Sequence, residues 1–103
     1  QAIDRHSLAL HRLIADKIRH EPALFARALA TLARWRAAAP PNTQPYLDQW
    51  QRLFAEGIEP ALAMASEDSE RAAALRQSSP FCNILSNRER FHFLKTWRSD
   101  DAA

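Results

Sequence analysis

Apolar residues recur along this chain at the three- and four-residue spacing of amphipathic helices. In the first segment, Leu10, Ile14 and Ile18 fall on one side of a helix that we predict over residues 4–20. No run is rich in β-branched residues, and no Asn-Gly or Asp-Gly hairpin turn occurs. The pattern therefore predicts an all-α fold.

The prolines and the single glycine indicate where helices start and stop. Pro22 suits the first turn of a second helix, and Pro40-Pro41 ends that helix because proline cannot continue the hydrogen-bond ladder. Gly57 is the expected left-handed stop of a third helix, and Pro60 opens a fourth segment.

Capping side chains mark the other boundaries. Asn42 and Thr43 are alternative caps of the third helix. Ser66 and Ser69 are alternative caps around a fifth helix, which we predict over residues 67–77.

Two serines mark the predicted helix starts in the remaining part of the chain. Ser79 precedes Pro80, a cap and first-turn proline that predict a short helical turn as far as residue 85. Ser86 and Glu89 match the capping box, in which serine and glutamate side chains bond each other's backbone amides. The last helix should then present Phe91, Leu94 and Trp97 on one side. We predict a compact all-α bundle of five to six short helices, a single helical domain over residues 1–103.

Composition places the chain among soluble globular domains. A length of 103 residues with 47% hydrophobic content fits one folded domain, and no apolar run reaches membrane-spanning length. The single cysteine, Cys82, cannot form an internal disulfide, and no signal-peptide pattern appears. We expect a cytoplasmic protein without a membrane partner. Because Gln1 rather than Met opens the chain, a preceding segment is an open alternative.

Charge is segregated along the chain although the net charge is only +2. Residues 1–36 carry a balance of +4, residues 37–70 of −5, and residues 71–98 of +5. One interpretation is that these segments pair with each other in the fold. The other is a basic face, formed by the two ends, that is offered to an acidic partner.

Catalytic and metal-binding patterns are sparse. The four histidines are not spaced as metal ligands are, and no Cys-x-x-Cys motif occurs. The sequence therefore predicts no metal site and no cofactor. Cys82 is expected to be a small buried hydrophobe. Arg5, His6 and His11 have the residue order seen in HEPN ribonucleases, whose arginine and histidine act on a phosphate. That activity requires Arg5 and His11 to meet in a cleft.

Regularly spaced arginines suggest another alternative. Arg5, Arg12 and Arg19 recur every seven residues and so share one helix face. This ridge is a solvated surface or the phosphate-binding face of a DNA-associated regulator.

Tryptophan, tyrosine and arginine are the residues that anchor protein interfaces, and this chain has three tryptophans. Core packing is the simpler role for each of them. Phe91 and Phe93 cannot both face inward, because they lie 200° apart on a helix. One of the two should therefore be exposed or covered by a partner.

Several short segments carry a resemblance to a known group of proteins. They are Ile14-Ala15-x-Lys17, Pro22-Ala23-Leu24, Leu32-Ala33-Arg34-Trp35, Tyr46-Leu47-x-x-Trp50, Leu75-Arg76-x-Ser78-Ser79-Pro80-Phe81 and Leu85-Ser86-x-x-Glu89-Arg90. Over nearly its whole length, the chain resembles short, helical, uncharacterised bacterial proteins, some of which resemble antitoxin partners of toxin–antitoxin operons. The group has no catalytic motif. The resemblance implies a non-enzymatic domain that masks a partner protein, such as a cognate toxin.

We therefore predict a partner-binding surface of aromatic and arginine side chains, centred on the block from Arg76 to Arg90 together with Trp97. Its members are Arg76, Phe81, Arg88, Arg90, Phe93 and Trp97. Homodimerisation would compete for the same exposed aromatics, and nucleic acid is a secondary partner.

Overall fold

Six helices packed around one hydrophobic core make up the part of the chain that the structure describes. The computed structural model describes the backbone of residues 2–102 and the side chains of residues 4–97. The helices are α1 (Ala2–His20), α2 (Phe25–Ala38), α3 (Gln44–Glu56), α4 (Ile58–Ala65), α5 (Glu70–Arg76) and α6 (Asn87–Ala102). The all-α bundle that the apolar spacing predicts is confirmed.

The predicted helix boundaries are largely confirmed, with local shifts. Pro22 opens a short 3-10 turn, Pro22–Leu24, that leads into α2, and α2 ends before the Pro40-Pro41 pair. α5 begins at Glu70 rather than residue 67, because the Ser69 hydroxyl accepts the Ala72 amide hydrogen at 3.1 Å and fixes the start.

Gly57 joins α3 directly to α4. Its φ of 131° is one that side-chain-bearing residues rarely adopt, which explains why glycine stands there. Its ψ of 178° makes the backbone extended rather than the left-handed helical stop that we predicted. Ile58 therefore starts the next helix immediately.

The segment between α5 and α6 is not the helical turn that Pro80 suggests. Residues 80–85 form turns and bends. Two of their carbonyl oxygens are taken by basic side chains of other helices: Lys17 donates to Ile84 at 3.0 Å and Arg90 to Cys82 at 2.7 Å. Phe81, Ile84 and Leu85 are nonetheless buried. Packing and these two donors stabilise an irregular backbone there.

The core lies where α1, α3 and α4 meet their neighbours. α1 packs against α4 and α5, and α3 packs against α2 and α4. At the centre, Trp50 is fully buried, and its indole Nε1–H donates to the carbonyl of Leu75 at 2.9 Å. Phe54 and Phe81 contact that indole edge-to-face, at 6.1 and 5.7 Å between ring centroids.

α6 is attached along α1 at both of its ends. The predicted capping box is present: Ser86 N–H donates to Glu89 at 2.8 Å, and Glu89 N–H donates to the Ser86 hydroxyl at 3.1 Å. Glu89 also pairs with Lys17 of α1. This pair, with the Ser86 amide, lowers the pKa of Glu89 to about 2. Further along, Phe93 and Trp97 contact His6 near the start of α1.

Candidate functional site

Arg76 is an interior residue and not part of a surface. Its side chain is 1% exposed. One guanidinium nitrogen donates to the carbonyls of Ala65 and Glu67 at 3.2 and 2.8 Å, and the other donates to Asp4 at 2.9 Å. These bonds tie the ends of α4 and α5 to the start of α1. The predicted contact surface therefore does not include Arg76.

Phe81 is likewise excluded from the predicted surface. It is fully buried, with its ring 5.4 Å from that of Phe54 and 6.4 Å from that of His11. The reverse holds for Cys82, which we expected to be buried and which is exposed.

A buried histidine–serine pair joins α1 to the turn before Phe81. The His11 Nδ1–H donates to the carbonyl of Ser7 at 2.8 Å, and the distance from Nε2 to the Ser79 hydroxyl is 2.7 Å. Burial lowers the pKa of His11, the bond to Ser7 raises it, and the positive charge of Arg76 lowers it, for a net lowering. The ring is thus neutral at neutral pH, and Nε2 accepts the Ser79 hydroxyl hydrogen.

Stability should decrease towards acid because of His11. Its pKa is lower in the fold than in the unfolded chain, so below about pH 6.5 the unfolded state binds the extra proton more readily. We expect the urea midpoint of unfolding to fall between about pH 7.5 and about pH 5, and to fall less in His11→Gln. The ion pair of Glu89 with Lys17 would be lost only at lower pH, between the ordinary pKa of this carboxyl, 4.5, and its pKa of about 2 in the fold.

His92→Gln is the matched control, because His92 is exposed on α6. That variant should keep the pH slope of the natural sequence. Equal slopes for His11→Gln and the natural sequence would contradict the assignment.

The geometry required for the ribonuclease hypothesis is not present. Arg5 is exposed, whereas His11 is 6% exposed and faces Ser79. The two residues lie about 120° apart around α1. They do not meet in a cleft.

The regularly spaced arginines of α1 are exposed, as predicted, but they are not equivalent. Arg19 pairs with Glu59 of α4 at 3.2 Å and with Asp16 at 3.7 Å. Within the described part of the chain, Arg5 and Arg12 make no ion pair. Ion pairs between the oppositely charged segments, such as Arg36 with Asp48 at 2.8 Å, therefore neutralise only some of the segregated charges.

α6 holds the remaining members of the predicted surface. Arg88 is exposed, and Arg90 is half-buried with its guanidinium on the carbonyl of Cys82. Phe93 and Trp97 are half-buried, with centroids 5.3 and 5.5 Å from the His6 ring. Both aromatics thus use one side of their rings to attach α6 to α1.

The most exposed aromatic of α6 is one that the predicted set omits. Phe91 is 70% exposed and Leu94, one turn further on, is 41% exposed. The 200° spacing of Phe91 and Phe93 indicates that one of the pair faces outward. Only the contact between Phe93 and His6, across the fold, decides which one. Phe91 and Leu94, with the half-buried Trp97 one turn beyond Leu94, form a strip that we call the α6 strip.

Among the residues described, no group of three or more His, Cys, Asp or Glu side chains could hold a metal ion, and no helix is long and apolar enough to cross a membrane. Comparison with protein-family models, with curated proteins and with solved structures finds no match.

Proposed function

We propose that this chain is a non-enzymatic, antitoxin-like domain that masks a partner protein with the α6 strip. The observation that supports this most directly is the exposure of Phe91, at 70% of its surface, on a helix whose other face is already packed. Leu94 extends the apolar area by one turn. Anchors spaced three residues apart are typical of a helix that binds in a partner's groove.

A small number of buried side chains is enough to supply much of the binding free energy. Burying a phenylalanine or leucine side chain that was exposed contributes about 1.5–3 kcal/mol. Trp97 adds an indole edge beside them, and aromatic side chains are frequent among residues that dominate binding. Arg76 and Phe81 stabilise the fold beneath this surface instead of contacting the partner.

Charge indicates what the partner presents. Arg88 is exposed on α6, one turn before Phe91 of the strip. Carboxylates at the rim of the partner's groove would speed association and favour one orientation. We infer a partner with an apolar groove and an acidic rim, as a cognate toxin would supply.

The proposal is tested by affinity purification from the native organism with Phe91→Asp and Leu94→Asp. Leu29→Asp is the matched control, because Leu29 is 42% exposed on α2 and Leu94 is 41% exposed. We expect the natural sequence and the control to retain one stoichiometric protein that both α6 variants lose. Loss of the protein from the control as well, or recovery of nucleic acid alone, would contradict masking by α6.

A DNA-associated regulator is the second candidate, supported by the exposed Arg5 and Arg12. Phosphate contacts make affinity fall steeply with added salt. Duplex DNA that binds in a salt-dependent manner and is lost by Arg5→Gln plus Arg12→Gln would favour this candidate. A purified self-association that depends on Phe91 would instead assign the α6 strip to homodimerisation.

A further inference from the structure

A small pocket lies between α1, α2 and the turns before α6, on a different face from the α6 strip. Its volume is about 230 Å³, the share of liquid occupied by roughly eight water molecules. The half-buried Leu10 and Trp35 supply its accessible apolar lining, and the buried Ile14 and Phe81 lie beneath them. This size and lining suit a single ring or a short aliphatic chain, smaller than a drug-sized ligand.

The charges around this pocket are of one sign. Arg76 and Arg90 line it and no aspartate or glutamate does. Each of three other surface pockets of the described structure is lined by at least two acidic residues. An organic anion is therefore the ligand class that this pocket favours electrostatically over the others.

The two arginines have different roles. Arg76 is neutralised by Asp4, which lies outside the pocket. Arg90 makes no ion pair among the described residues, and its bond to the carbonyl of Cys82 uses one of five N–H donors. Its guanidinium is thus held beside the pocket with donors left for a carboxylate, which arginine binds with two parallel hydrogen bonds.

The neutral His11–Ser79 pair lines the same pocket and fits this interpretation. A neutral imidazole that already accepts the serine hydroxyl hydrogen adds no charge, so the anion would be recognised by Arg90. We propose that the pocket binds a small monocarboxylate with an apolar body, of about the size of phenylacetate, with the ring against Leu10 and Trp35 and the carboxylate on Arg90. This inference goes beyond the proposed function and does not rest on it.

The test is a titration of the full chain with phenylacetate, followed by NMR of the backbone amides. The neutral phenylacetamide and the cationic 2-phenylethylamine are the comparison probes. We expect phenylacetate to shift amides of residues 77–85 and 10–14. Each comparison probe should bind with an affinity at least about tenfold lower, because a charged hydrogen-bonded partner is lost.

Two arginine variants on α6 distinguish binding in this pocket from a general effect of positive charge. Arg90→Gln should weaken phenylacetate binding about tenfold or more. Arg88→Gln, which removes the same charge from an exposed site outside the pocket, should leave it within about twofold. Bound phenylacetate should also slow alkylation of Cys82, which is exposed and lines the pocket.

Three results would overturn the inference: no shift with phenylacetate, equal binding of phenylacetamide, or equal weakening by the two arginine variants. Leu94→Asp distinguishes the two proposals, because it should abolish partner capture and leave phenylacetate binding unchanged.

Discussion

Arg76→Ala is expected to lower the free energy of unfolding by about 3–5 kcal/mol, because it removes a buried guanidinium together with three charge-assisted hydrogen bonds. The substitution removes donors from the carbonyls of Ala65 and Glu67 and from the carboxylate of Asp4. Buried acceptors left without a partner cost about 1–3 kcal/mol each. Denaturation by urea, followed by circular dichroism, measures the loss.

Arg71→Ala is the control for this prediction. Arg71 lies on the same helix, α5, but is exposed, with one long 3.4 Å contact to Gln49. Its replacement should change the unfolding free energy by less than about 0.5 kcal/mol. Similar losses for the two variants would show that Arg76 does not hold the helix ends together.

Phe81→Ala should be comparably damaging, at about 3–5 kcal/mol, because it removes a fully buried ring and opens a cavity beside Trp50 and Phe54. The lost ring contacts Trp50, Phe54 and His11. The emission spectrum of the buried Trp50 should change with it. The same urea denaturation measures the effect.

Phe91→Ala is the matched comparison, because the same side chain is removed from a position that is 70% exposed. We expect a change within about 0.5 kcal/mol, with the better helix propensity of alanine as a compensating gain. A large loss at Phe91 would mean that the α6 strip is covered in the isolated chain. That result would remove the basis of the proposed function.

Local signals in the sequence predicted the helices well. The Ser86–Glu89 capping box and the Pro40-Pro41 stop each act within a few residues, so their effects can be predicted without the fold. Between Ser66 and Ser69, which the sequence left as alternative caps, only the structure assigns the cap to Ser69. The alternation of apolar residues with period 3.6 likewise identified Ile14 and Ile18 as core residues.

Burial of polar residues could not be predicted in the same way. Arg76 bonds Asp4, which lies 72 positions away, and Ser79 bonds His11, which lies 68 away. An arginine in a basic segment is usually exposed, so sequence alone placed Arg76 on the surface. The helical turn predicted for residues 80–85 was wrong for a related reason, because carbonyls of this segment accept hydrogen bonds from Lys17 and Arg90 of other helices.

Gly57 has a consequence for how the chain can vary in length. α3 ends at Glu56 and α4 begins at Ile58, so one residue makes the whole connection. An insertion there would extend or rotate the following helix by about 100° per residue and turn Ala61 and Leu62 away from the interior. Length variants should therefore be accepted at the exposed residues 40–42, and rejected at this junction.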